Sequence, residues 1–295
     1  MSVPELCRLF GFSKQSYYKR TTQSKQTFNA SAIKKLVVNV RSKLPKTGGR
    51  KLHHMIKADL HSAGIKIGRD RLFQYLREEH LLIPTRRKYH KTTNSRHWMR
   101  KYPNLVKNVE INKPEQVWVA DITYLSLKKK HYYLHLITDA YSKKIVGYQL
   151  ADNLEGKTTL EALNKAISSR RYNHKLIHHS DRGLQYCAYD YIEKLKENDI
   201  TVSMTQQSDP YENAVAERVN GILKAEFMLD VNFESFYRMK KQVVQAINAY
   251  NHIRPHLSIG LLTPNKAHMQ NEMILKTWKK KNPSQNTEMG SLSLV

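Results

Sequence analysis

The chain is poor in cysteine and in acidic residues, and each shortage excludes something. Cys7 and Cys187 are the only cysteines in 295 residues. Neither a disulfide framework nor a Cys-x-x-Cys zinc site can be drawn from them, which suits a reducing compartment. No apolar run approaches the length of a membrane span, and the opening "MSVPELCRLF" has no charged-then-apolar leader. Acids are outnumbered two to one, 25 Asp and Glu against 50 Lys and Arg, for a formal net charge of +25. An imbalance of that size points to a polyanionic partner, with nucleic acid foremost. The expected location is the cytoplasm of a cell whose DNA is accessible there, at the nucleoid.

What the chain does have is unevenly placed. Residues 1–110 carry 25 basic and 6 acidic side chains, and residues 111–295 carry 25 and 19. The first third is thus built to grip phosphates and the remainder to do something else. "SVPELCRLFGFSKQSYYKR" reads as two short helices joined at Gly11, a helical segment over 1–30. "TTQSKQTFNAS" follows as a linker. "GGRKLHHMIKADLHSAGIKIGRDRLFQYLREEHLL" repeats the helix–turn–helix pattern, with Leu52, Ile56 and Leu60 before Gly64 and Leu72, Tyr75 and Leu76 after it, within a domain over 31–84. The second helix of such a unit enters the major groove by its early residues. Lys14 and Gln15, with Tyr17, are the candidates in the first unit, and Arg69 and Arg71, with Asp70, in the second. Residues 85–114 read as a basic connector able to lie along a phosphate backbone, and residues 276–295 as a basic tail.

Beyond residue 115 the pattern changes. "QVWVADITYLSL" and "HYYLHLITDAYSKKIVGYQLAD" read as three successive antiparallel strands rich in Val, Ile, Tyr and Thr. A β-β-β-α-β-α-β-α order follows, the mark of a mixed sheet flanked by helices in one α/β domain over 115–275. Asp121 lies inside the first of these strands, where a carboxylate must pair, hydrogen-bond or hold a cation. Asp139 and Asp181 end two others. In "DPYENAVAERVNGILKAEF", Asn213, Glu217, Gly221 and Lys224 fall on one helix face. A polar stripe containing glycine makes sense where something other than a side chain must approach. Acids from two strands and a helix, meeting at the carboxyl ends of a sheet, would hold Mg²⁺ or Mn²⁺. Two such ions polarise a phosphodiester and activate water or a 3′-hydroxyl for in-line transfer. A lone strand-end Asp is more often a turn-former, however, and a lone helix Glu is more often solvated.

"WVADITYL", "HHSDRGLQY" and "DPYENAVAERVNGILKAEF" resemble the three catalytic blocks of integrase-like transposases of bacterial insertion sequences, of the kind encoded as the second of two overlapping frames. The family's spacing is Asp, Asp, then Glu after thirty-five residues, and thirty-five residues separate Asp181 from Glu217 here. Lys224 stands seven after the Glu, as the family pattern has it. The resemblance implies a ribonuclease H-like fold preceded by an all-α helix-turn-helix region. It also implies metal-dependent DNA cleavage and strand transfer at the ends of a mobile element. By position, Asp121, Asp181 and Glu217 would be the catalytic metal ligands, holding two ions in the family's manner. Lys224 and Asn213 would contact DNA, while Asp139 has no catalytic counterpart. The implied partners are double-stranded DNA (terminal inverted repeats and target), further copies of the chain on that DNA, and the first-frame protein or a frameshift fusion with it. Two other readings are a regulator that only occupies its element's ends and a nuclease acting on RNA–DNA hybrids. A retroviral-type integrase proper would need a zinc-binding front end that two cysteines cannot build. His53, His54, His178 and His179 are better explained by packing or DNA contact.

Overall fold

The computed structural model describes residues 2–18, 29–84, 99–107, 109–128, 130–206 and 213–270. A mixed sheet forms its centre. Strand β1 (Val117–Leu127) pairs antiparallel with β2 (Lys130–Asp139), which pairs antiparallel with β3 (Ile145–Ala151). On its other side β1 runs parallel to β4 (Leu176–Ser180), and β4 runs parallel to β5 (Ile200–Met204). The order β3-β2-β1-β4-β5, with three antiparallel strands followed by two parallel ones, is that of the ribonuclease H-like fold. A two-residue strand, β6 (Asn232–Phe233), adds to the far end of β1 and is too short to leave a periodic signal in the sequence.

Alternation along β1 decides which way each side chain faces. Trp118, Ala120 and Ile122 join a core formed with Leu163, Tyr191 and Leu195. Val117, Val119 and Leu125 face the opposite way, toward packing that includes Ala216, Val219 and Leu223. Asp121 shares this second face.

The helices begin where the chain supplies caps. In chain order, α1 (Val3–Leu9) is followed by a helical stretch at residues 14–18 and then by α2 (Ala30–Lys43), α3 (Gly49–Ser62) and α4 (Arg69–Glu78). The linker expected over residues 21–31 ends early, because the Asn29 side chain accepts from the Ala32 N–H at 3.1 Å and starts α2. Ile33 and Val37 of α2 pack with Leu52, Ile56, Leu60, Leu72 and Leu76 to give a three-helix core. Gly64, at φ +68°, makes the sharp turn out of α3, and the Ile65 N–H returns to the Leu60 carbonyl at 2.8 Å.

The remaining helices are α5 (Gly156–Ser168), α6 (Leu184–Cys187), α7 (Tyr189–Glu197), α8 (Ala214–Glu226), α9 (Phe236–His252) and α10 (Pro264–Met269). Helices α5 and α7 cover one face of the sheet, and α8 and α9 cover the other. The described part of the connector differs from the expectation of a phosphate-tracking strap. Met99, Tyr102, Val106, Val109 and Ile111 pack on the sheet domain, and the Leu105 N–H donates to Ser203 Oγ at 2.9 Å. Their apolar side chains outweigh the surrounding charge. The rest of the connector (85–98) and the basic tail lie outside the described residues. Among the described residues no helix is long and apolar enough to cross a membrane.

Candidate active site

The parallel register matches Val117, Trp118 and Val119 of β1 with Ile177, His178 and His179 of β4. Two residues on from the last of these pairs come Asp121, within β1, and Asp181, just past the end of β4. Asp121 is partly buried, and its Oδ1 accepts from the Ile122 N–H at 2.9 Å while its Oδ2 accepts from Asn220 Nδ2 at 2.7 Å. Asp181 leaves the sheet just after β4 and turns back on itself, its Oδ1 accepting from the Gly183 N–H at 3.0 Å. A Cβ at Gly183 would stand 3.1 Å from that same oxygen, so the glycine leaves the carboxylate room.

Glu217 enters on the first turn of α8, the helix laid across the odd-numbered face of β1. Burial drives the Asp121 carboxyl up to about 7, the Asp181 charge adds to that, the Ile122 and Asn220 donors oppose it, and the Glu217 charge raises it further. Partial burial also raises the Glu217 carboxyl. The three acids are therefore near enough for Asp121 to feel both of the others. Among the described residues no three His, Cys, Asp or Glu side chains form a group that could hold a metal ion. Residues 207–212, which lead into α8, lie outside the described set.

Lys224, two turns beyond Glu217, is half-buried. Burial lowers its ammonium, while the charges of Asp121 and Asp230 oppose that lowering. Gly221 lies between them with nothing within 4 Å of where a Cβ would be, so the polar stripe opens onto free space. The expectation that Asn213 contacts DNA meets a different placement. Its side chain is buried and donates to the Ala120 carbonyl at 3.2 Å, because as the residue before α8 it closes the gap between that helix and β1. Lys14, Gln15, Arg69 and Arg71 are exposed. Arg69 pairs with Asp70 at 2.9 Å, and Arg71 bonds Gln74 at 2.9 Å.

Comparison with known proteins gives the chain's family. Residues 111–210 and 198–264 each match a model described as an integrase core domain. The chain is 34% identical over 265 residues to the insertion element IS600 uncharacterized 31 kDa protein of Shigella sonnei, spanning 88% of this chain and 96% of that one. This chain belongs to the insertion-sequence transposases with an integrase-like core.

Other relatives of this transposase include the transposase for insertion sequence element IS629 of Shigella sonnei, 29% identical over 69% of each chain. Transposase InsF for insertion sequence IS3A of Escherichia coli K12 is 26% identical over 92% of this chain and 95% of its own. Among solved structures, the HTLV-2 integrase catalytic core domain in complex with magnesium aligns at 21% identity and a TM-score of 0.42, covering 53% of this chain and 97% of its own. Membership makes the chain a polynucleotidyl transferase acting in insertion-sequence transposition.

Sequence reasoning missed two residues of this candidate site. Asn220 is buried and grips Asp121, yet in the sequence it reads as one more polar residue beside Gly221. Tyr186 is buried behind the acids; burial drives its hydroxyl far up, with the Asp181, Tyr191 and Asp121 charges adding to the effect. The histidines are engaged elsewhere: His178 Nε2 meets Tyr191 Oη at 2.9 Å, His179 Nδ1 meets Ser203 Oγ at 2.8 Å, and His53 Nε2 meets the Ile67 carbonyl at 3.3 Å.

Proposed function

We propose that this transposase cuts and joins DNA at the ends of a mobile element through Asp121, Asp181 and Glu217, the acids of a DDE-type site. The observation that carries this reading is the mutual repulsion at Asp121. A partly buried carboxyl raised to about 7 by burial and by two neighbouring acids is poised to exchange its proton for a divalent cation. The donor set is all carboxylate oxygen, which fits Mg²⁺ or Mn²⁺. When bound, two such ions supply Lewis-acid activation of the attacking oxygen and neutralise charge on the phosphodiester.

The protein groups divide the remaining work. Asn220 holds one Asp121 oxygen in place, and the Gly183 N–H fixes Asp181. Glu217, on the first turn of the helix that carries Asn220, completes the set of acids. Lys224 offers a positive charge beside the acids, and the open surface over Gly221 gives a DNA backbone room to approach. The exposed Lys14, Gln15, Arg69 and Arg71 are the proposed contacts that hold duplex DNA, consistent with the charge excess of the first third. The proposed assembly is a homo-oligomer on two DNA ends, with the first-frame protein as partner or fusion, in the bacterial cytoplasm.

The test is strand cleavage and joining on terminal inverted-repeat DNA in Mn²⁺. Asp121→Asn, Asp181→Asn and Glu217→Gln should each lose at least a hundredfold in both steps while still shifting the DNA in a gel. Retention of wild-type joining by any of the three would remove that acid from the site.

A further inference from the structure

Lys51 and Glu226 lie 175 residues apart in sequence, yet the Lys51 ammonium sits 2.6 Å from both carboxylate oxygens of Glu226. Arg254 grips the same carboxylate from the other side, Nε to Oε2 at 2.9 Å and Nη2 to Oε1 at 2.8 Å. Both cations are buried. The Lys46 N–H donates to the Glu226 backbone carbonyl at 3.0 Å, and Leu44 packs into the core cluster that contains Val219, Ile222 and Leu223 of α8. The helical unit is thus seated on the last turn of the helix whose first turn carries Glu217.

We propose that Glu226 is a positioning residue: through Lys51 it fastens the DNA-holding helical unit to the catalytic helix, and so fixes which phosphodiester meets the acids. The inference rests on the catalytic reading given above. Glu226 stands nine positions beyond Glu217 on α8, a rigid rod of about 13 Å. At the other side of the contact, α3 carries Lys51 and shares its core with α4, which presents Arg69 and Arg71. A chain of packed helices therefore runs from the proposed DNA contacts to Glu217 with no loop as its only link.

The charges make this contact a specifier more than an adhesive. Two cations and one acid are withdrawn from water together, and burial, then Arg254, pushes the Lys51 ammonium down to about 8. Desolvation thus takes back much of what the pairing gives, the usual account of a buried ion pair. Such a contact selects one docked arrangement, and reversing one of its charges undoes it.

The test uses the full chain. Lys51→Glu sets two carboxylates against each other and should release the helical unit, seen as a larger radius of gyration in small-angle scattering. On terminal-repeat DNA in Mn²⁺ the variant should bind within about threefold of wild type. Its cuts should scatter over neighbouring phosphodiesters, and the rate at the correct bond should fall at least tenfold. If K51E fails to fold by circular dichroism, Met55→Glu on the same docking face takes its place in both assays. An unchanged radius, or an expanded protein that still cuts the same bond at the wild-type rate, would overturn the proposal. A wild-type chain that cuts nothing in Mn²⁺ would instead bring down the catalytic reading beneath it.

Discussion

Asn220 Nδ2 lies 2.7 Å from Asp121 Oδ2, so the helix that carries Glu217 also holds the carboxylate of the central strand. The bond stabilises the ionised form of Asp121 against burial and against the two other acids. Asn220→Leu removes the donor and should raise the Asp121 pKa further. The acid limb of the pH–rate profile for strand cleavage should then move to higher pH, with a rate loss of tenfold or more near neutrality. A uniform drop with an unmoved limb would assign Asn220 to packing alone.

The Asp121 carboxyl also makes a prediction about cation binding. Its folded-state value near 7 lies above its unfolded value, so its contribution to stability without metal is full below the unfolded value and is lost as pH rises through about 7. A divalent cation competes with that proton. The rise in Tm on adding Mg²⁺ should therefore be small at pH 6 and larger at pH 8, and Asp121→Asn should abolish the difference. Melting curves at the two pH values with and without the ion decide this.

Gly221 is open to space on the catalytic helix, and nothing in the protein would meet a Cβ there. Gly221→Ala should stabilise the helix by about 0.5–1 kcal/mol. If DNA passes over this stripe, Gly221→Leu should raise the DNA concentration needed for half-maximal cleavage severalfold while the melting temperature holds or rises. Unchanged kinetics in the Leu variant would send the DNA elsewhere.

The far end of the sheet holds a second buried charge cluster, and it accounts for Asp139. Its oxygens accept from the Glu115 N–H and the Ser142 N–H, each at 2.8 Å, and from Ser142 Oγ at 2.5 Å. His268 of α10 lies 3.2 Å from Glu115 and 3.5 Å from Asp139. Burial pulls the imidazole pKa down, but its bonds to Asp139 and Glu115 outweigh burial and hold it above the ordinary value. The stability it contributes is complete below the unfolded value near 6.5 and is lost as pH rises through the folded one. His268→Leu should cost about 3 kcal/mol at pH 6, since it leaves buried carboxylates without their cation, and less at pH 9. Equal costs at both pH values would mean a neutral, merely packed ring.

Much of this arrangement was legible in the sequence, and the limits have physical causes. Asp121 stood out because a carboxylate inside an apolar strand needs a partner. The succession of strands and helices followed from β-branched and aromatic runs separated by turns. Asn220 did not stand out, because helical periodicity alone does not say which of two adjacent polar residues meets a strand. The burial of Asn213 against Ala120 was invisible for the same reason. The Lys51–Glu226 contact and the Glu115–Asp139–His268 cluster join segments more than 120 residues apart, and no local pattern announces such pairs. The early start of α2 hung on a single cap, Asn29.

The account depends on three acids sharing divalent cations, and calorimetric titration of Mn²⁺ into the full chain at pH 8 tests it most directly. Wild type should bind with an affinity that falls at least tenfold in Asp121→Asn, in Asp181→Asn and, most tellingly, in Glu217→Gln. Mn²⁺ binding by Glu217→Gln with the wild-type affinity would contradict it.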